Sequence, residues 1–460
     1  MINQDSNGAL RVGTPLPRRK SEIPDAERLQ TLQEKLYQKS KQERKFKFYV
    51  LYDKIFIPYV LREAWKSVKR KNSAAGVDGK RVKDVEEYGV EKFLEEIGEE
   101  LRKQTYQAQP IKRIYEEKPN GKLRPIGIGC IKDRIVQTAI KKIIEPIFEA
   151  DFTENSHGFR PNRSSKDAIT EIKTNAKSGY TEVYDADLSA YFDTIPHNKL
   201  YTVLRQRITD PRLMKLIDKF LKVPIEEDGQ LKRGKANKIG TPQGGILSPL
   251  LANIYMNLID RAVSCMDGVF NKQGVRIVRY ADDFVLMSKG KATAAYCYLQ
   301  ELLDRMELRL NTDKTKCVDG KFTPYDFLGF TFRYDKDIHG RNGRYWNVIP
   351  SKKSVKKVKA KIKEKLHSTL HYAPDKLVVE LNSILRGWIN YYEIQGISYP
   401  SMAKRSIREY LNTSLYRYYN RKSQRKSRLY GRHAFSILVN KYGMIDPTKY
   451  TPKLKLAMPK

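Results

Sequence analysis

The chain has 460 residues, which by length suggests roughly three domains and leaves ample material for a core. Its 88 lysines and arginines outnumber 53 aspartates and glutamates, for a formal charge of +35, which suits a long polyanionic partner bound in a salt-sensitive way. With no apolar run of about 18 residues, no signal-peptide core and no Cys-x-x-Cys pair among Cys130, Cys265, Cys297 and Cys317, a membrane protein and a structural zinc site are disfavoured and a soluble intracellular protein is expected.

Residues 1 to about 25 are polar, with Pro15, Pro17 and Arg18-Arg19-Lys20, and read as a flexible arm. Leu29, Leu32 and Leu36 recur at helical spacing, and Leu51, Ile55, Tyr59 and Leu61 continue a helical, partly apolar segment to Asn72. A turn follows over Ser73–Gly79. In Lys118-Pro119-Asn120-Gly121-Lys122-Leu123-Arg124, basic residues surround a turn that can make a fingertip hairpin. A solvated loop face is one reading of Lys118 and Arg124 there.

Thr181–Leu188 has the pattern of a strand and can present Asp187 at its end, just before Ser189-Ala190-Tyr191-Phe192-Asp193. Gly240–Pro249 is a glycine-rich stretch in which Gln243-Gly244 would let the backbone approach a base pair closely, since glycine has no Cβ. Tyr280-Ala281-Asp282-Asp283 then separates two runs that read as buried strands, Val275–Val278 and Phe284–Met287. A carboxylate pair at a hairpin tip between apolar strands calls for cations, because buried acids are costly unless paired or coordinated. An ordinary hairpin turn would favour Asp-Gly or Asn-Gly, and no glycine lies here. If the Asp187 strand lies beside this hairpin, Asp187, Asp282 and Asp283 converge. Such a set suits two hard divalent ions about 3.5 to 4 Å apart, which could activate a primer 3′-hydroxyl and stabilise leaving pyrophosphate. Mg²⁺ is the natural candidate, and Mn²⁺ accepts the same oxygen ligands. Spacing alone does not choose among Asp185, Asp187 and Asp193.

Beyond the hairpin come Leu310–Lys316, where Lys314 reads as a surface lysine, and Phe327-Leu328-Gly329-Phe330. Val355, Val358, Ile362, Leu366 and Leu370 form an apolar stripe at helical spacing, while eight lysines lie between Lys352 and Lys365, so one face packs and the other meets phosphate. Leu381–Tyr392 is apolar and aromatic. Arg405, Arg408, Tyr416, Arg417, Tyr418, Tyr419, Arg421 and Lys422 extend a composition suited to phosphate contact and base stacking, although Trp388 and many of the tyrosines also fit a core. Arg425, Lys426 and Arg428 begin a basic tail.

In this order the blocks resemble the group II intron reverse transcriptase/maturase family over nearly the whole chain. Lys118–Ile128 with Lys132–Gln137 resembles the fingers block, Ser156–Ser164 the block after it, and Asp187–Asp193, Gly240–Pro249 and Tyr280–Asp283 motifs A, B and C. Leu310–Lys316 resembles motif D, Phe327–Phe330 the primer-gripping segment and Leu381–Tyr392 the thumb, or maturase domain X. The resemblance implies an α+β right-hand polymerase with fingers and an antiparallel-sheet palm followed by an α-helical thumb. Its expected divisions are a 1–72 N-terminal extension, fingers and palm over 73–335, a thumb over 336–424 and a short basic 425–460 tail, a candidate DNA-binding segment.

The resemblance also assigns residues. Asp187, Asp282 and Asp283 become the catalytic, metal-binding set, with the Leu188 carbonyl an extra ligand, and Asp185 and Asp193 are demoted. Lys118, Arg124, Ser189, Ala190, Tyr191, Phe192, Gln243 and Lys314 become dNTP contacts, with Phe192 the steric gate against a 2′-hydroxyl. Tyr280, Gly244, Leu328 and Gly329 become primer or template contacts. Implied partners are group II intron RNA or another RNA template, a DNA primer or target and dNTPs, in a bacterial cytoplasm and on its nucleoid. A C-terminal His-Asn-His nuclease with cysteine pairs is expected to be absent, which would leave the primer to be made elsewhere. A free-standing polymerase used in repair or defence, and a splicing cofactor without polymerisation, are the alternatives.

Overall fold

The computed structural model describes residues 23–117, 121, 123–232, 238–242, 244–336, 342–421 and 429–452. Lys118, Gln243, Lys422, the expected N-terminal arm up to residue 22 and Arg425–Arg428 lie outside the described residues. Helix α1 (Asp25–Gln42) carries Asp25 and Glu27 in its first turn and Lys39 and Lys41 in its last, which complements the helix dipole, and it buries Leu29 and Leu36. The continuous helical segment expected to Asn72 is broken. Residues 43–51 leave the helix because buried Arg207 ties them down, pairing with Asp151 at 2.6 Å and donating to the carbonyls of Ser40, Glu43 and Phe46. After the single turn α2 (Tyr52–Ile55), Pro58 restarts a helix, α3 (Pro58–Lys71), at the position where a missing amide hydrogen costs nothing.

Next in the chain are α4 (Val82–Tyr88), α5 (Val90–Arg102), β1 (Ile111–Glu117), β2 (Leu123–Ile128), α6 (Ile131–Glu149), α7 (Ser165–Lys177), β3 (Glu182–Ala186), α8 (Tyr191–Thr194), α9 (His197–Leu204) and α10 (Pro211–Leu221). They are followed by β4 (Ile225–Glu227), β5 (Gln230–Lys232), α11 (Ser248–Ser264), α12 (Val269–Lys272), β6 (Arg276–Tyr280), β7 (Asp283–Ser288), α13 (Thr293–Arg305) and β8 (Lys316–Asp319). The C-terminal part is β9 (Tyr325–Phe327), β10 (Phe330–Lys336), β11 (Arg344–Pro350), α14 (Lys352–Ser368), α15 (Pro374–Tyr392), α16 (Ser401–Arg421) and α17 (Ala434–Tyr442).

The central sheet runs β6-β7-β3-β8 with every neighbour antiparallel. Both of its faces are covered, which is why Phe284-Val285-Leu286-Met287 is apolar without alternation. Phe284 and Leu286 join a core shared with α1, α3, α6, α11 and α13, whereas Val285 and Met287 join one formed with α7 and the strands Tyr325–Pro350. The N-terminal helices therefore share the core of the central sheet. A second sheet, β2-β1-β4-β5, forms the fingers. The third, β11-β10-β9, pairs Phe330–Lys336 with Arg344–Pro350, so the division expected at residue 335 falls within a hairpin whose side chains pack with the palm.

Helices α14 to α17 enclose a separate core around Val358, Ile362, Leu377, Leu381, Leu411 and Leu438. The apolar stripe of α14 holds at Val358, Ile362 and Leu366 but not at Leu370, which is exposed because the helix has ended at Ser368. Tyr418 and Tyr419 are buried, while Arg405, Arg408, Tyr416 and Arg417 remain on the surface of α16.

Candidate active site

Register builds the site. Ala186 pairs with Phe284, so the next residue along β3, Asp187, comes abreast of Asp283 at the same end of the sheet. Tyr280 pairs with Asp283 to close the β6–β7 hairpin, and Ala281 takes the left-handed conformation, φ 61°, that a glycine would ordinarily supply. A strained residue beside functional acids is the kind of cost a site retains. Asp187, Leu188, Asp282 and Asp283 line one cleft of about 1030 Å³, together with Arg124, Ala190, Tyr191, Phe192, Gly244 and Lys314. A second cavity of about 900 Å³ lies on the other side of Asp187 and Asp283, walled by Asp185, Asp326, Leu328, Arg333 and Lys352.

The acids disturb one another. Asp283 is pushed up to about 6, first by the protein crowding its carboxyl and then by Asp282, Asp187 and Asp185. Its side chain still reaches the cleft surface, so solvent screens part of that repulsion. Asp282 is raised by burial and Asp187, with Arg124 and Arg279 opposing. Asp185, on the same strand face as Asp187, is pushed up to about 6 by burial and by Asp187. The Lys314 ammonium sits on both oxygens of Asp187, at 3.0 and 3.1 Å. Among the described residues, no three carboxylate, histidine or cysteine side chains are gathered tightly enough to enclose one ion as they stand. The donor set is nonetheless all oxygen and mutually repelling, the chemistry a hard divalent cation relieves.

The other expected contacts are placed as follows. Arg124 is exposed on β2 and faces Asp282 across the cleft. Ala190 is left-handed at φ 47°, which turns the chain after Ser189, whose amide bonds the Arg309 carbonyl at 2.9 Å. Tyr191 is buried, its hydroxyl donating to the Ala252 carbonyl, so its ring serves the core below the cleft. Phe192 is half-buried, and its carbonyl accepts the Thr241 amide at 2.6 Å, which ties the motif A turn to the motif B stretch. Gly244, at φ 97°, is required by a protein neighbour: a Cβ there would overlap the Gly127 carbonyl of β2. Leu328 and Gly329 both have positive φ, and a Cβ on Gly329 would meet the Tyr392 hydroxyl. The Tyr391 hydroxyl donates to the Leu328 carbonyl at 3.0 Å, so α15 backs this turn directly.

A polar network beneath the acids was not apparent from the sequence. Arg279 is fully buried in β6 and donates to Asp260 at 2.5 to 3.0 Å, to Asn253 at 2.8 Å, to Ser156 at 2.6 Å and to the Ala281 carbonyl at 2.7 Å. Asn253 and Asp260 stand two turns apart on α11, and polar residues at that spacing within the apolar run Leu250–Val263 were the available signal. Ser156 forms an isolated parallel bridge to Arg279 at the edge of β6, and Gly158 follows so close to the acid turn that a Cβ would overlap the Ala281 amide nitrogen.

An antiparallel palm sheet presenting carboxylates to a cleft, with fingers before it and a helical thumb after, defines a palm-type nucleic-acid polymerase. Comparison with known proteins agrees. The reverse transcriptase (RNA-dependent DNA polymerase) family matches residues 116–332, and the group II intron, maturase-specific domain matches residues 355–434. Protein YkfC of Escherichia coli is 36% identical over 57% of this chain and 76% of its own length. The group II intron-encoded protein LtrA of Lactococcus lactis is 28% identical over 66% of this chain and 63% of its own length. A partial Cas6-RT-Cas1–Cas2 complex superposes with a TM-score of 0.33 at 25% identity, over 55% of this chain and 41% of that one, too slight a global likeness to bear on the fold. The chain belongs to the group II intron-encoded reverse transcriptase/maturase family, whose enzyme class is RNA-directed DNA polymerase. That family works on RNA and DNA and uses divalent metal ions. No described helix is long and apolar enough to cross a membrane.

Proposed function

We propose that the protein adds dNTPs to a DNA 3′-end on an RNA template, and that its thumb holds group II intron RNA in a splicing-competent shape. The observation that carries the polymerase reading is the β3–β7 register, which sets Asp187 abreast of Asp283 at the floor of a cationic cleft. Asp187, Asp282, Asp283 and the Leu188 carbonyl would hold two Mg²⁺ ions, or Mn²⁺ in their place. Bound there, the ions would make the primer hydroxyl a better nucleophile and stabilise charge on the leaving pyrophosphate.

The chain's own residues do the rest. Arg124, with Lys118, grips the triphosphate, and Lys314 releases Asp187 to give a proton to pyrophosphate. The Ser189–Tyr191 backbone shapes the nucleotide floor, Phe192 excludes a 2′-hydroxyl and Gln243 borders the nascent pair. Tyr280, Gly244, Leu328 and Gly329 border the primer and template. Residues 1–72 form an N-terminal extension, fingers and palm run from 73 to the end of the β10–β11 hairpin, the thumb starts at α14, and 425–460 form a basic tail. The protein acts in a bacterial cytoplasm and on its nucleoid.

The test is primer extension on an RNA template with Mg²⁺ and dNTPs beside the Asp282→Ala protein, with sequencing of the RNA that co-purifies. Extension by the wild type alone with a group II intron RNA recovered supports both activities. Extension without such RNA points to a free-standing polymerase. Tight intron binding without extension would overturn the polymerase reading, and equal loss of RNA binding and extension in Asp282→Ala would make that acid structural.

A further inference from the structure

We propose that Phe159 is a base-contacting residue, its ring forming the wall of the cleft on which a template nucleobase stacks; this rests on the polymerase reading above. Phe159 lines the same cleft as Asp187, Asp282 and Phe192, yet the residue stays 52% exposed. Its backbone is left-handed, φ 56°, a conformation that a bulky residue adopts only at a cost and that glycine or asparagine would take more readily. A chain that keeps phenylalanine at such a position is holding the ring up for a contact made elsewhere.

Both flanks are locked, so only the ring is left facing the cleft. On one side His157 donates its amide to the Arg279 carbonyl at 2.9 Å, and the Gly158 carbonyl accepts from Asn253 at 2.7 Å while Gly158 itself is pressed against the acid turn. On the other side Arg160 is buried, paired with Glu149 at 2.7 Å, bonded to the Ser156 carbonyl at 2.6 Å and set 5.2 Å over the Phe152 ring. Lys71 and Lys141 line the same cleft. A rigid, exposed ring next to cations matches a nucleotide, whose base stacks while its phosphate meets the charge, and the template strand brings such a unit to the reacting pair. The fixed link from Ser156–Gly158 to Arg279 would couple the position of that base to the acid turn.

The experiment is single-nucleotide incorporation by the full-length protein on an RNA template annealed to a DNA primer. Wild type is compared with Phe159→Ala, Phe159→Leu, Phe159→Tyr and Phe159→Gly, each also on a template with an abasic site opposite the incoming nucleotide. Stacking predicts that Ala and Leu lower kcat/KM about tenfold and that Tyr stays within about twofold of wild type. On the abasic template the penalty of Ala should shrink, since there is no base to stack on. Phe159→Gly should raise Tm by relieving the backbone while losing extension, a split that a merely structural ring would not give. The proposal fails if Ala or Leu matches wild type, if the Ala penalty is the same on the abasic template, or if activity falls only in step with Tm. A wild type that does not extend the intact template would sink the polymerase reading instead.

Discussion

Replacing Arg279 with methionine keeps an apolar stem in the strand but strands Asp260, which is as fully buried as the arginine it pairs with. Removing one partner of a buried pair leaves an uncompensated charge and costs about 3–5 kcal/mol. The same substitution takes the donor from the Ala281 carbonyl, 2.7 Å away, and so loosens the turn that presents Asp282 and Asp283. Combining Arg279→Met with Asp260→Leu removes both charges, and stability should recover the share owed to the stranded carboxylate, leaving a deficit of about 1–3 kcal/mol from the acceptors of Asn253, Ser156 and Ala281 that Arg279 had satisfied. Activity should not return with it, because nothing then holds the Ala281 carbonyl, and misplacing a reacting group by about 1 Å costs about 100-fold in rate. Urea titration followed by circular dichroism reads the first quantity and single-turnover primer extension the second. The reasoning is refuted if the single variant loses less than about 1 kcal/mol, or if the double variant extends at the wild-type rate.

Three further outcomes follow from the charges. The exposed Lys314–Asp187 pair competes with any cation at Asp187, so Lys314→Gln should lower the half-saturating Mg²⁺ concentration about two- to fivefold while slowing extension, measured by Mg²⁺ titration of the extension rate. Asp283 ionises only around pH 6, so the Mg²⁺ requirement should climb as pH falls below about 6, by about tenfold per unit where proton and metal compete one for one. The stability sign is the reverse of an ordinary salt-bridged acid. The folded state holds this proton more tightly than the unfolded chain, so stability is lost as pH rises from about 4 through about 6. In EDTA, Asp283→Asn should therefore be more stable than wild type at pH 8, by about 1 kcal/mol after allowing for screening of the exposed carboxyl, and equal to it below pH 4. Thermal melts at the two pH values check this, and a variant less stable at pH 8 would refute it.

Local patterns carried much of the site. The apolar runs flanking Tyr280–Asp283 are the β6 and β7 strands, extended by one to two residues toward the acids, and the strand ending before Asp187 does lie beside that hairpin. What local pattern could not carry is pairing at a distance. Arg279 reads as one more residue of a buried strand, and its partners Asp260 and Ser156 stand 19 and 123 residues away along the chain. Gly244 shows the same limit: glycine was expected to make room for a base pair, yet its missing Cβ makes room for Gly127 of the fingers, 117 residues earlier by numbering. Leu51–Leu61 looked continuous with the first helix because apolar spacing persists through it, and the interruption comes from an arginine supplied by the palm.

The junction at Leu328 and Gly329 bears on how the two halves of such a protein can evolve. The Tyr391 hydroxyl on the Leu328 carbonyl, the Tyr392 ring against Gly329 and the Gly329 carbonyl accepting the Ser351 amide at 2.8 Å make the start of α14 and the end of α15 a buttress for this turn of the palm. Lys173 of α7 reaches the Ile397 carbonyl at 2.6 Å, anchoring the far end of the same buttress in the palm. A maturase region joined in this way is no detachable accessory. On the proposed function, in which RNA engages the thumb and the primer lies at this turn, selection for splicing and selection for copying would act on one mechanical part, and neither could drift without the other registering it.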